Sequence, residues 1–261
     1  MTARVPFTLA HPAAILPLRG RRYLRTAPLI VGAMAPDLPY YVPGSVQRFV
    51  PETHEFSASF TIDLALAYLA LAGIYLLRRP LTALLTPRAR WLCLHALAPL
   101  RADRRAWVYA GFAMILGVWT HLLWDSFTHR DGWIVRRVSA LSAPVTIGSY
   151  TGPMCHVLQY VSSALGLLIM AVWYLRRPAP ARAALGHGAA RSPAAPILVL
   201  AAAAALLIGG VQSIGHYERT QFVYGSINVL LTRSLAWFAL LYLVAGVVVT
   251  LDHPRVTRFR G

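Results

Sequence analysis

Lysine is missing from this chain: all 25 basic side chains are arginine, set against nine acidic residues for a net charge of +16. A complete absence of one basic residue type is the mark of a coding bias, as in a GC-rich genome, rather than of a need for guanidinium at every site. Charge of either sign is scarce, at 13% of residues, where the ordinary soluble mix carries about 25%. With 57% apolar residues and a mean hydropathy of +0.54, an ordinary soluble globule is excluded, because its core could not hide so much apolar surface. The fold class left is all-α, a polytopic membrane helical bundle built from helices of about 20 apolar residues. Two cysteines, Cys93 and Cys155, are too few and too far apart for a disulfide framework or a cysteine zinc site. The N-terminus lacks a continuous apolar run, since Pro6, Pro12 and Pro17 interrupt it, so it is expected to be retained rather than cleaved.

What is present is arranged as a single integral-membrane domain over 1–261. Its N-terminal segment, 1–59, is mixed in character. Pro12 suits a short helix starting at Ala13, and Thr26 with Pro28 suits a second one running to about Ala35. Five candidate spans follow, at 60–77, 107–124, 157–175, 195 to about 214, and 234–251. The first three fill the stretch 60–175 and the last two 195–251. Between them fall an arginine- and proline-containing loop over 78–106, a glycine-containing loop over 130–156, and a low-complexity flexible linker over 176–194, with a tail from 252 to 261. The alanine tract 201–205 offers small residues for close helix packing in lipid. Arginines sit at the ends of apolar runs, as Arg78-Arg79 and Arg176-Arg177 do, which is membrane-flanking charge. The expected partners are therefore membrane lipids, with no nucleic acid; the oligomeric state is left open. No internal repeat is evident, and the middles of the five spans carry no charge, both of which argue against a transporter or channel.

The chemistry gathers in 117–132, GVWTHLLWDSFTHRDG, where His121, Asp125 and His129 follow at i, i+4 steps. On a helix each step leaves the side chains about 40° apart, so all three share one face. A carboxylate closing an apolar helix is costly unless paired or metal-bound, and Asp125 is the strongest candidate for that reason. A hydrogen bond from His129 that merely closes the helix end would satisfy it as well. The helix rises about 12 Å from His121 to His129, too far for one ion to be gripped by all three. His11, Asp37 and His54, all ahead of the first span, can complete the shell. With five crossings these six residues share one face, together with His156, His216 and Glu218; a miscount of one among the first two spans would part them. That face holds 11 arginines and the other 14 in shorter loops, so the positive-inside rule places the metal face outside the cytoplasm. Each residue also has a plainer reading. His11 precedes a proline helix start, Asp37 ends a helix in a proline-held turn, His54 suits the membrane interface, and Glu52 and Glu55 suit ordinary solvated charges. Asp63, three residues inside its span, faces the same desolvation argument as Asp125, although its shallow depth could keep it wet. His156 and Gln159 are weaker contacts for substrate or for the ligands, and His95, His187 and His253 fall on the opposite face.

The ordered motifs PFTLAHPAAILPL, GAMAPDLPYY, ETHEFS and THLLWDSFTHRDG resemble a bacterial integral-membrane family known as domain of unknown function 4184, over roughly residues 5–175. More distantly the order His, Asp, His, HxxxD, His is similar to that of membrane-bound metal-dependent hydrolases and zinc-dependent phospholipase C enzymes. The resemblance implies a multi-pass protein of the bacterial cytoplasmic membrane. It implies that His11, Asp37, His54, His121, Asp125 and His129 are ligands for one or two divalent ions, zinc or alternatively manganese or iron. Glu55 departs from the serine that the related hydrolases carry after that histidine. The function expected is a metal-dependent hydrolase acting on a phosphoester or other ester at the membrane surface, with Arg130 as a group to hold developing charge. The alternatives are a transporter or channel, and a non-catalytic membrane protein with a structural metal site.

Overall fold

The computed structural model describes residues 8–20, 24–41, 52–148, 150–177, 194–221 and 223–252. The expected linker lies outside the described residues except at its ends, and so do the tail after Asp252, His187 and His253. Three 3-10 segments, Thr8–Ile15, Ala35–Tyr41 and Ser57–Phe60, are interspersed with helices α1 (Thr26–Met34) and α2 (Ile62–Leu76). Then come α3 (Arg78–Ala83), α4 (Pro87–Ala102), α5 (Arg105–Thr128), the short α6 (Ser139–Ser142), α7 (Met154–Arg176), α8 (Ala194–Thr220) and α9 (Val223–Asp252). A hairpin of β1 (Pro144–Ile147) and β2 (Tyr150–Pro153) stands between α6 and α7, pairing Pro144 with Pro153 and Ile147 with Tyr150. The chain is thus an all-α bundle apart from this hairpin, and α5, α7, α8 and α9 are long and apolar enough to cross a membrane.

Several sequence expectations change. The first of the five expected spans is the 15-residue α2, about 22 Å long against a hydrocarbon core of about 30 Å. It starts late because Thr61 is off-helical (φ −124°, ψ −95°), and it stops at Leu77 before the Arg78-Arg79-Pro80 corner. The loop expected over 78–106 is largely helical. Thr86 caps α4 by accepting from the Ala89 amide, with Pro87 in the first turn where its missing N–H costs nothing. The expected helix start at Ala13 is replaced by a 3-10 segment that already includes His11 and Pro12. The fourth and fifth spans run longer than their apolar cores, so His216 and Glu218 belong to α8 rather than to a loop. The expected second helix matches α1 closely.

Packing around α5 positions the segments that carry the candidate site. Helix α2 runs antiparallel to it: the Tyr68 hydroxyl donates to the Trp107 carbonyl (2.9 Å), and the Trp119 indole donates to Ser59 Oγ (3.1 Å). Helix α1 crosses α5 almost backbone to backbone. A Cβ on Gly32 would collide with the Met114 carbonyl, and one on Gly117 with that of Leu29, so only glycine permits the approach. Leu29, Ala33 and Ala113 fill the contact on one side, and Val31, Ala110, Met114 and Val118 on the other, all buried. In lipid such packing is held by dispersion between well-fitted surfaces rather than by burial from water. The same rule works for the alanine tract: Ala201 and Ala205 are buried on α8, which packs along α9.

Candidate metal centre

Four separate pieces of chain converge beside the last two turns of α5. The Thr8–Ile15 segment brings His11, the Ala35–Tyr41 segment brings Asp37, the turn before Ser57 brings His54, and α5 itself brings His121 and Asp125. His11, Asp37, His121 and Asp125 are buried, His121 completely. The His11 ring stacks on that of His121 (centroids 3.9 Å apart, 25° between planes), and the His54 ring meets His121 edge-on at 5.4 Å. Two trios, His11 with Asp37 and His121, and His54 with His121 and Asp125, each place one donor atom per residue within 4.8 Å of the others.

The outer side of each imidazole shows what its inner side carries. The His121 Nδ1 lies 2.9 Å from the Ala33 carbonyl, which can only accept, so this nitrogen bears the proton. The Thr53 hydroxyl gives its single hydrogen to the Pro36 carbonyl (2.8 Å), so its 3.1 Å contact with His54 Nδ1 must be donated by the imidazole. Both Nε2 atoms are thereby turned inward, at carboxylates. His121 Nε2 is 3.3 Å from Asp125 Oδ2 and 3.7 Å from Asp37 Oδ1; His54 Nε2 is 3.4 Å from Asp37 Oδ1 and 3.5 Å from Asp125 Oδ2. His11 Nε2 lies 3.6 Å from Asp125 Oδ1. Neither of the first two Nε2 atoms nor Asp125 Oδ1 has a hydrogen-bond partner.

Those spacings show what the cluster could hold. A charge-assisted N–H···O bond is about 2.7–2.9 Å long. Donor atoms held at about 2.1 Å around a tetrahedral ion stand about 3.4 Å from one another. The observed range of 3.3–3.7 Å fits the second geometry. The histidine partners Ala33 and Thr53 are contacts of the kind that fix tautomer and ring orientation at metal sites. Burial, reinforced by neighbouring His121, pushes the His11 imidazole down to about 4, leaving it neutral at ordinary pH. Burial works against the Asp37 carboxylate, but His121 and His54 outweigh it and take the carboxyl down to about 2. A neutral His11 imidazole and an ionised Asp37 carboxylate are in the states in which such side chains bind a divalent ion.

His129 does not continue the helical face expected of it. It is the C-cap of α5 in extended conformation (φ −112°, ψ 142°), and the chain folds back tightly enough that a Cβ on Gly132 would run into the carbonyls of Asp125, Ser126 and His129. The amides of Ile134 and Val135 both reach the Ser126 carbonyl, closing the turn. His129 belongs to neither trio. Its Nδ1 is 3.4 Å from Asp125 Oδ1 and 3.1 Å from Thr128 Oγ1, while its Nε2 faces the buried Gln159 amide at 3.3 Å. Thr128 gives its hydroxyl hydrogen to the Trp124 carbonyl, so the His129 Nδ1–H donates to Thr128 Oγ1 and only faces Asp125 Oδ1.

A cavity of about 600 Å³ opens beside the cluster. His54, Asp125 and His129 stand on its wall, with Glu55, Arg136 and the rings of Phe56, Trp119 and Trp133. Arg130, singled out from the sequence as the charge-holding group, is exposed and does not line this cavity; Arg136 does. Nothing in the residue order separates these two arginines, since the Gly132 turn decides which one faces inward. His156 is half-buried on α7, within the electrostatic reach of Arg130 and His129 but outside both trios. Of the two readings of Asp63 the buried one holds: it is fully buried, and neither carboxylate oxygen has a hydrogen-bond partner.

The chain belongs to a family described as a domain of unknown function (DUF4184), which matches residues 5–251. The match takes in the last two long helices as well as the motif-bearing part. No curated protein and no solved structure matches the chain, so the more distant likeness to hydrolases has no counterpart among these comparisons.

Proposed function

We propose that this member of the family is a membrane-embedded, metal-dependent hydrolase acting on a phosphoester or other ester at the membrane surface. The observation that carries the reading is the inward aim of the His54 and His121 Nε2 atoms at two carboxylates, at spacings suited to a shared ion. His11, Asp37, His54, His121 and Asp125 would hold the ion. Because the two trios share one His121 nitrogen, a single ion fits them better than two. The mixture of imidazole and carboxylate suits zinc, with manganese or iron as the other metals such a set accepts. When bound, a divalent ion of this kind supplies Lewis-acid chemistry, polarising an ester oxygen and acidifying water.

The protein's own groups around the cavity divide the remaining work. His129 stands beside Asp125, with Nδ1 held by Thr128 and Nε2 by Gln159, so that its ring flanks the carboxylate on the cavity side. Arg136 is placed to meet negative charge on a bound substrate, and Glu55 on the same wall to accept a proton. Phe56, stacked on Trp119 at 5.5 Å, forms an apolar flank that shields the centre from water. The side facing out of the cytoplasm is proposed to be the metal side. In support, Arg19 of the N-terminal segment lies against Trp173 near the end of α7 away from Gln159, which moves its charge to the arginine-rich far face.

A second reading is favoured by the chain geometry: an ion bound by four separate segments would also staple them, as a structural metal does. Metal analysis of the purified protein beside Asp125→Ala, with hydrolysis measured across phosphomonoester, phosphodiester and carboxylester substrates, tests both. Stoichiometric metal and metal-dependent turnover support the hydrolase; metal without turnover on any ester selects the structural role. A metal-free wild type whose Tm ignores chelators and added zinc alike would sink both readings.

A further inference from the structure

A second polar cavity lies at the opposite end of the bundle, where α2 stops and α3 and α4 turn the chain toward α5. It measures about 230 Å³ and is lined by Arg78, Arg79, Arg90 and Arg101, with Trp91 and His95 among its apolar and aromatic walls and no acidic residue. Three observations mark it as a binding site rather than a solvated charge run. No carboxylate pairs with any of the four arginines among the described residues, and the buried Arg90 Nε has no hydrogen-bond partner. Arg78 is pre-positioned, lying over the Tyr75 ring at 4.6 Å and donating to the Tyr75 carbonyl at 2.6 Å. Trp91 and His95 stack in parallel (4.7 Å, 9°), making a flat wall beside the guanidiniums.

The surroundings identify the ligand. The cavity opens where an apolar helix ends, beside Leu76 and Leu77, which are 72% and 40% exposed. Helix α4 leads directly into the membrane-length α5, and its mixture of arginines with Trp91, Leu94 and Leu97 is that of a helix lying in the interface. A ligand there meets several positive charges at its polar end and bare leucine at its other end. We propose that this cavity binds the phosphate headgroup of an anionic phospholipid, with the acyl chains laid along the end of α2. Basic pockets of this kind between helix ends recognise anionic headgroups on the cytoplasmic leaflet. The site is independent of the metal centre and of any activity there.

The test uses the full chain in neutral detergent, titrated with short-chain phosphatidylglycerol, short-chain phosphatidylcholine or inorganic phosphate, reading affinity and the shift in Tm. Phosphatidylglycerol is expected to bind and raise Tm, and the other two are not. At about 1 kcal/mol per basic residue near an anionic headgroup, the Arg90→Gln/Arg101→Gln variant is expected to bind about thirtyfold more weakly. Equal shifts from both lipids, or an undiminished response in the variant, would overturn the proposal. An equal response to inorganic phosphate would overturn the lipid assignment. Should the variant fail to fold, wild type in about 1 M salt, where the screening length is about 3 Å, serves instead. Loss of the phosphatidylglycerol shift there supports the site, and its persistence refutes it.

Discussion

At the scale of single residues, the partners behind the cluster carry as much of the argument as the cluster itself. Thr53 fixes the His54 tautomer from outside, touching no ion. Thr53→Val should therefore weaken metal binding by about 10- to 100-fold while the fold survives, as losses of such outer contacts do elsewhere; isothermal titration with zinc would measure it. Acid should release the metal as well, because protons compete for the Nε2 lone pairs of His54 and His121. The sign is fixed: affinity falls as pH falls, and each ligand that must lose a proton adds to the slope. Metal retention measured from pH 8 to 5 checks it, and retention that improves toward acid would contradict the assignment. Asp63 is a different case. Its carboxylate is buried without a donor, so Asp63→Asn is expected to retain full metal content and to lose no stability, read by metal analysis and thermal unfolding.

Among elements, the Gly32–Gly117 crossing is the joint on which the centre depends. It brings the Ala33 carbonyl to His121 and sets the following 3-10 segment so that Asp37 faces the His121 Nε2 atom. Gly117→Ala inserts a methyl group where the Leu29 carbonyl already lies, and over-packing of this kind costs about 1–3 kcal/mol. The expected outcome is a lower Tm together with loss of metal, whereas Gly210→Ala, where a Cβ meets open space, should change neither. The motif in 117–132 was legible in the sequence because the i, i+4 spacing of His121 and Asp125 needs only a helix. His129 was not, because the helix ends one residue before it and a folded-back turn, invisible to periodicity, decides where its ring goes. Helices α3 and α4 escaped for another reason: arginines and prolines broke the apolar pattern, although the Thr86-Pro87 start signal was there to be read.

For the whole molecule, the two polar sites stand at opposite ends of one bundle, which makes sidedness measurable. Cys93 is exposed on α4, at the arginine end, and Cys155 is buried at the start of α7. If the metal face lies outside the cytoplasm, a membrane-impermeant maleimide should leave wild type unlabelled in intact cells and label Cys93 after permeabilisation. A Glu55→Cys variant, on the cavity wall, should label in intact cells. The opposite pattern would reverse the orientation.

Sequence alone determined the solvent and the chemistry. Scarce charge and long apolar runs point to a bilayer, and a carboxylate closing such a run calls for a partner, whatever the fold. Tertiary structure decided which of those groups meet. His11, Asp37 and His54 lie far from α5 in the chain, and only the close glycine crossing and the packed 3-10 segments bring them within ligand spacing of His121 and Asp125. It also decided that the first apolar run, though long enough on paper, forms a helix too short to span by itself, because a local kink at Thr61 and the corner at Arg78 cut it at both ends. Periodicity reports what one segment buries; distances between segments are set by how closely their backbones can approach.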